Sequence, residues 1–181
     1  VLQTYLSALD LRRGARALEI GCGAGMVADY LAEAFGVEVA ATDADPEQIA
    51  LAESHFSDSP GVSFAVADAT ALPFAAESFD VAISLMTLHH IPRWDLALAE
   101  IARTLKPGGR AVLRDIALSA GAVALARPFK SRFGIYTADD ALCRSEAHGL
   151  SVQEFSEPGG LLFSEFHLLL KKEPQRISVA R

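Results

Sequence analysis

One stretch constrains the fold more than any other: ALEIGCGAGMVADYLAEAFGVEVAATDAD, residues 17–45. It opens as an apolar strand and breaks into Gly21, Gly23 and Gly25. It resumes with Met26, Val27, Tyr30, Leu31 and Ala34, an apolar stripe at helical spacing. It then returns to a strand that ends at Asp43. Strand, helix and strand in so short a span form a crossover unit, which lays its two strands parallel. Glycine in such numbers wastes backbone entropy, so the backbone here must turn tightly or come very close to another molecule. A tight turn without a ligand is the competing explanation.

The alternation continues along the chain. The first strand is 16–20 and the first helix 26–35, stopped by Gly36. The second strand is 37–42. Asp45 as N-cap and Pro46 as first helical residue start the next helix. Strands follow at 62–67 and 79–85, then a helix over 94–105. The PGG at 107–109 is expected to terminate that helix, and the fifth strand to run over 110–116. Residues 137–149 read as a helix capped by Thr137 and closed by Gly149. The last strands, 150–156 and 164–172, flank a PGG turn and are expected to pair antiparallel. The expected fold class is α/β, with helices on both faces of a seven-stranded, mostly parallel sheet.

All 181 residues suit one domain, with residues 1–14 as an N-terminal cap helix, 117–136 as a substrate-lid insertion and 173–181 as a tail. Twenty-three Asp and Glu against sixteen Lys and Arg give a net charge of −7, which argues against nucleic acid as a main partner. No apolar run approaches the roughly 18–20 residues that span a bilayer. Cys22 and Cys143 form neither a disulfide framework nor a metal spacing, and no metal site is expected. No signal-peptide pattern is recognised, so a reducing cytoplasm is the expected compartment.

Chemistry concentrates at the ends of the strands. Asp43 should stand beside the glycine loop at the carboxyl edge of the sheet, where an acid can bind both hydroxyls of a ribose. Asp68 ends the third strand one place along, with Ala69 offering an unobstructed amide. There a carboxylate can accept from an adenine amino group. Taken singly, each aspartate is equally a helix cap or a turn residue. Counting from Gly21, the sixth place is Met26, so the pattern is G-x-G-x-G and the dinucleotide fingerprint is not met. There is no G-K-[ST] and no Tyr-x-x-x-Lys pair.

LEIGCGAG, the strand-end Asp43, ADA at 67–69, FDVAISLMTLHHI and LKPGGRAVL together resemble the successive motifs of class I S-adenosylmethionine-dependent methyltransferases. The nearest branch is the type 11, ubiquinone-biosynthesis-like group acting on small molecules. The resemblance is strong over residues 15–116. It implies a Rossmann-like sheet with an antiparallel last strand, S-adenosylmethionine as cofactor and a small-molecule methyl acceptor. Carried over by residue, it implies that Glu19 fixes the glycine loop. Gly21, Cys22 and Gly23 pass over the methionine part, Asp43 takes the ribose hydroxyls, Asp68 and Ala69 hold the adenine, Ser84 and Leu85 lie near the methionine amino group, and Gly25 and Ala44 are further cofactor-binding positions.

Methyl transfer from a sulfonium needs mainly two reactants held in line. His89 and His90, after the fourth strand, are candidate bases toward a hydroxyl acceptor. Their competing role is structural, within the LHHI turn. Asp115 closes the fifth strand and is a candidate for orienting the acceptor, with helix capping as its alternative. In 118–134 an apolar half precedes Arg127, Lys130 and Arg132. Arg127 and Arg132 are therefore candidate contacts to a carboxylate or phosphate on an apolar acceptor. A SAM-binding module that regulates or scaffolds without turnover is the alternative function. The sequence leaves homo-oligomerisation open.

Overall fold

The computed structural model describes residues 6, 9, 11–126, 132–157 and 159–174. Seven strands form one sheet: β1 (Arg16–Ile20), β2 (Glu38–Asp43), β3 (Val62–Val66), β4 (Phe79–Leu85), β5 (Leu105–Leu118), β6 (Leu150–Ser156) and β7 (Phe163–Lys172). Their spatial order is β3-β2-β1-β4-β5-β7-β6. The first five are parallel, and β7 runs antiparallel to both β5 and β6. Chain order reverses between β1 and β4. Open sheets of this kind bind ligands in the crevice beyond the strand ends at such a reversal.

Period-two alternation in β1 feeds two cores. Leu18 and Ile20 join the core under α3 (Trp94–Thr104) and α5 (Ala138–Ala147), while Ala17 joins the one under α1 (Met26–Phe35) and α2 (Pro46–Phe56). Helices thus cover both faces, each fully buried Leu or Ile contributing about 1.5–3 kcal/mol by leaving water. A shorter helix, α4 (Ala120–Ala126), follows β5. Helix ends follow the expected chemistry. Gly36 closes α1 at φ 64°, the Asp45 carboxylate accepts from Glu47 N at 2.8 Å before Pro46, and Thr137 and Asp140 form a reciprocal capping box on α5.

The PGG segment departs from expectation. The helix ends earlier, at Thr104, and β5 already pairs with β4 at Leu105 opposite Phe79. Residues 106–109 then form an irregularity against Asp80 before the register resumes at Val81 opposite Arg110. Gly109 is required there, because a Cβ would stand 2.9 Å from Lys106 O and 3.0 Å from Asp80 O. The PGG is therefore a bulge inside the strand.

Of the expected cap helix, Leu6 and Leu9 are described and buried against the α1–α2 core. Tyr5 lies outside the described residues, as do Arg127, Lys130 and most of the tail. Among the described residues no helix is long and apolar enough to cross a membrane, and no cluster of His, Cys, Asp and Glu is arranged to hold a metal ion.

Candidate active site

A cleft of about 450 Å³ opens at the carboxyl ends of β1, β2, β3 and β4. Gly21 and Gly23 form one wall, and the backbone explains the choice of residue. Gly21 sits at φ 73°, and a Cβ would fall 2.2 Å from Thr87 Oγ1. Its N–H and that of Cys22 both donate to Thr42 O, at 2.7 and 2.9 Å, which docks the loop on the end of β2. Gly25, at φ 85°, is the left-handed entry to α1, where a side chain would strike the Phe64 ring.

Asp43 faces this loop. Its Oδ2 accepts from Gly23 N at 2.9 Å and its Oδ1 from Asp45 N at 3.0 Å. Each oxygen keeps acceptor capacity beyond these single bonds. Asp68 also lines the cleft, and both Thr70 N and Thr70 Oγ1 donate to its Oδ1 at 2.8 Å. Ala44 and Ala69 complete this side. With Asp45 the cleft carries three carboxylates and no Lys or Arg among the described residues, so it favours a cation.

Glu19 lies beneath the loop rather than on the wall. It is 3% exposed, and its Oε2 has no hydrogen-bond partner. Burial pushes its carboxyl up to about 8, with the Asp43 charge adding to the rise and a backbone bond at Ala28 opposing it. Cys22 is buried too. Burial, then Glu19 and Asp43, hold its thiol at about 12, so it does no thiolate chemistry.

Ser84 and Leu85 do not reach the cleft. Ser84 is 1% exposed within β4 with an unpartnered Oγ, and Leu85 packs against the α1–α2 core. The chain meets the cleft one residue later, at Met86 and Thr87. Met86 has φ 56°, uncommon for a residue with a side chain and a mark of local strain at a site. Thr87 Oγ1 bonds Ile20 O at 3.2 Å and Leu85 O at 3.1 Å, tying the ends of β1 and β4 together. Neither Met86, Thr87 nor Gln48 stood out in the sequence. Thr87 lies inside the quoted LMTLHH run, but the need for its hydroxyl exists only once β1 is its neighbour.

The two histidines part company. They sit on the 3-10 turn Leu88–His90, with ring centroids 3.9 Å apart. His90 lines the acidic cleft, where burial and then the His89 charge lower its pKa. His89 lines a second, apolar cleft of about 390 Å³ with Ile116, Leu118, Phe133, Ile135 and Phe163. Adjacent residues on a tight turn face different ways, which here gives each cleft one imidazole.

Asp115 controls this turn. It is 1% exposed, and it takes the N–H groups that open the 3-10 turn, a capping role supplied from another strand. Its Oδ2 accepts from Thr87 N at 3.0 Å and Leu88 N at 2.6 Å, and its Oδ1 accepts from its neighbour Ile116 N at 2.7 Å and meets His89 Nδ1 at 2.5 Å. It therefore positions His89 and does not itself line either cleft. Tyr136 is buried nearby against Trp94 and Phe166, and burial, then Asp115, raise its phenol far above the ordinary value. The chain after 131 is pinned back onto the turn. Gly134 N donates to His89 O at 2.9 Å, and a Cβ at Gly134 would collide with Leu88 O. Arg132 is exposed beside Phe133.

Known proteins are similar to this chain in sequence and in fold. An O-methyltransferase, rstn1, of Aspergillus nomiae is 39% identical over 112 residues, 60% of this chain and 50% of its own length. The 27-O-demethylrifamycin SV methyltransferase of Amycolatopsis mediterranei is 40% identical over 114 residues, 61% of this chain and 42% of its own. The chain thus spans about half or less of the length of these curated relatives. Phosphoethanolamine N-methyltransferase 2 of Haemonchus contortus, solved with S-adenosyl-L-methionine, superposes with a TM-score of 0.81 at 18% identity, covering 95% of this chain and 52% of that one. At that identity the likeness shows the fold alone. The family model described as a methyltransferase domain matches residues 18–113, from the first glycine-loop strand to the middle of β5. That is more than half of the chain and holds every lining residue of the acidic cleft named above, and the chain belongs to the type 11 family of class I S-adenosylmethionine-dependent methyltransferases.

Proposed function

We propose that this chain binds S-adenosylmethionine in the acidic cleft and transfers its methyl group to an oxygen of a small, largely apolar acceptor held in the second cleft. The first half rests on fit. Gly21 and Gly23 leave backbone open to a ligand, Asp43 and Asp68 supply acceptors for ribose and adenine, and the three carboxylates suit a cationic cofactor. S-adenosylmethionine, when bound, supplies a methyl group on a sulfonium with a neutral thioether as leaving group.

The observation that carries the oxygen assignment is the 2.5 Å contact between His89 Nδ1 and Asp115 Oδ1. With Nδ1–H directed to the carboxylate, the ring's lone pair is on Nε2, a base at the wall of the apolar cleft. There Nε2 takes the proton of an acceptor hydroxyl. Amines and thiolates have less need of such a base, whereas a hydroxyl is a poor nucleophile until its proton has a destination. Two of the relatives named above support this reading, one called an O-methyltransferase and one named as the methyltransferase of a 27-O-demethyl compound. Arg132, exposed beside Phe133, is the cation that would meet a negative group on the acceptor, and Arg127 would be its partner. The free thiols Cys22 and Cys143 fit a reducing, cytoplasmic setting.

The test is a methyl-transfer screen with labelled S-adenosylmethionine against apolar alcohols and phenols and matched amines. The hydroxyl compounds should be methylated, and His89→Gln should slow turnover about 10²–10⁴-fold while leaving cofactor affinity unchanged. Methylation of amines alone, or an unaffected His89→Gln rate, would overturn the oxygen reading. Cofactor binding with no product across the panel would favour a regulatory module.

A further inference from the structure

The apolar cleft that His89 lines does not stop at its rim. Phe133 and Phe163 form part of its wall and are themselves exposed, so they stand at its opening. From there the apolar surface continues outward along two segments. One is the loop before β7, where Leu161 is 92% exposed and Leu162 is exposed beside it. The other is α4, whose sequence AGAVALA holds no polar side chain and none of whose residues is buried. Leu125 there is 82% exposed, and its neighbour Ala126 lines the cleft. The two segments are tied together, because Ser119 N, just before α4, donates to Leu162 O at 2.9 Å. Leu118 and Phe163 are also register partners of β5 and β7. A helix that is apolar all round is expected to be buried, and a contiguous exposed apolar patch marks a surface that binds something. All of these residues lie beyond residue 113, where the family match ends, so the patch is no part of the matched methyltransferase domain.

We propose that the methyl acceptor is amphiphilic, with its hydroxyl end in the apolar cleft against His89 and a long hydrocarbon tail running out past Phe133 and Phe163 onto Leu161, Leu162 and α4. The hydroxyl end rests on the transfer reading above, and the tail site rests on the exposed surface. At about 390 Å³ the cleft is near the lower end of small-molecule pockets, so a larger acceptor leaves through its opening. Continuity of the apolar wall selects the occupant. A second copy of the chain seated on the patch would close the opening between Phe133 and Phe163 to any acceptor. An anionic lipid surface would meet a protein of net charge −7. A tail attached to the bound hydroxyl end covers the same side chains and keeps the opening in use. Each methylene that leaves water for this surface adds to affinity, so tail length is the property the patch reads.

The test is calorimetric titration of the full chain with ethylphenol and octylphenol, the latter below its micelle-forming concentration, in the absence of S-adenosylmethionine. Octylphenol should bind at one site, tighter than ethylphenol by about tenfold or more. Leu161→Ser with Leu162→Ser should cut that ratio to about threefold or less. Both side chains are exposed, so the fold does not depend on them, and Leu125→Ser provides a second variant on α4. Leu51→Ser, at an exposed leucine of α2, should keep the wild-type ratio. A tail-length preference in binding with neither phenol methylated would support the tail site and overturn the transfer reading. Equal affinities with equal transfer to both phenols would support the transfer reading and overturn the tail site. Absence of octylphenol binding, or an unchanged ratio in the double variant, would also overturn the proposal. So would self-association of the wild type, or its flotation with phosphatidylcholine–phosphatidylglycerol vesicles, if the double variant abolished it.

Discussion

Asp115 Oδ1 and His89 Nδ1 lie 2.5 Å apart, joining the end of β5 to the turn that leaves β4. The same carboxylate receives the Thr87 and Leu88 N–H groups. One buried anion thus fixes both the strand end that borders the acidic cleft and the imidazole that borders the apolar one.

Replacing Asp115 therefore costs stability and rate together. Asp115→Ala removes the acceptor of the Thr87 and Leu88 N–H groups, at about 1–3 kcal/mol each, along with the contacts to Ile116 N and His89 Nδ1. Asp115→Asn retains one acceptor oxygen and should lose less. Thermal or urea unfolding of the two variants should rank them in that order. Turnover should fall in both, and S-adenosylmethionine affinity should fall less than turnover, because the carboxylate meets the wall of the acidic cleft only through Thr87 N.

Glu19 gives a pH dependence with a definite sign. Its folded pKa of about 8 lies above the ordinary carboxyl value of 4.5 because the group is buried. The folded state therefore holds a proton that the unfolded state releases. Stability is fully present below about pH 4.5 and declines as pH rises toward 8, by up to about 1.4 kcal/mol per pH unit for one proton. Glu19→Gln should flatten that slope, so its Tm relative to wild type should climb between pH 5 and 8. Parallel curves for the two proteins would show that Glu19 ionises normally.

Gly21→Ala tests the loop. The new Cβ would meet Thr87 Oγ1 at 2.2 Å and the residue would be held at φ 73°. Strain of this kind costs about 1–3 kcal/mol for the backbone alone. The expected outcome is a lowered Tm and lost cofactor binding, with Gly14→Ala, which meets no atom, as the control for φ strain without a clash.

Local signals carried much of this structure. The glycine loop, the caps at Gly36 and Asp45 and the strand-end positions of Asp43 and Asp68 depend on neighbours close in sequence, and they read directly. Other features needed the third dimension. Proline and glycine punctuate helices and bulges alike, so PGG at 107–109 could not be told from a terminator until β4 was known to lie beside it. Ser84 and Leu85 looked like the exit of β4, but the turn to the cleft occurs at Met86, a left-handed residue without the glycine that normally announces one. Asp115 reads as a strand end and acts across the sheet on a turn 26 residues away.

The central claim is that the acidic cleft is a cofactor site organised by Asp43. Calorimetric titration of S-adenosylmethionine into wild type and Asp43→Ala tests it most directly. Asp43 accepts from Gly23 N and Asp45 N and lines the cleft, and on the proposed reading its remaining lone pairs take the ribose hydroxyls. The account predicts one-site binding to wild type, weakened by about 1–3 kcal/mol in the variant, a factor of roughly ten to a hundred. Equal affinities, or no binding to wild type, would contradict it.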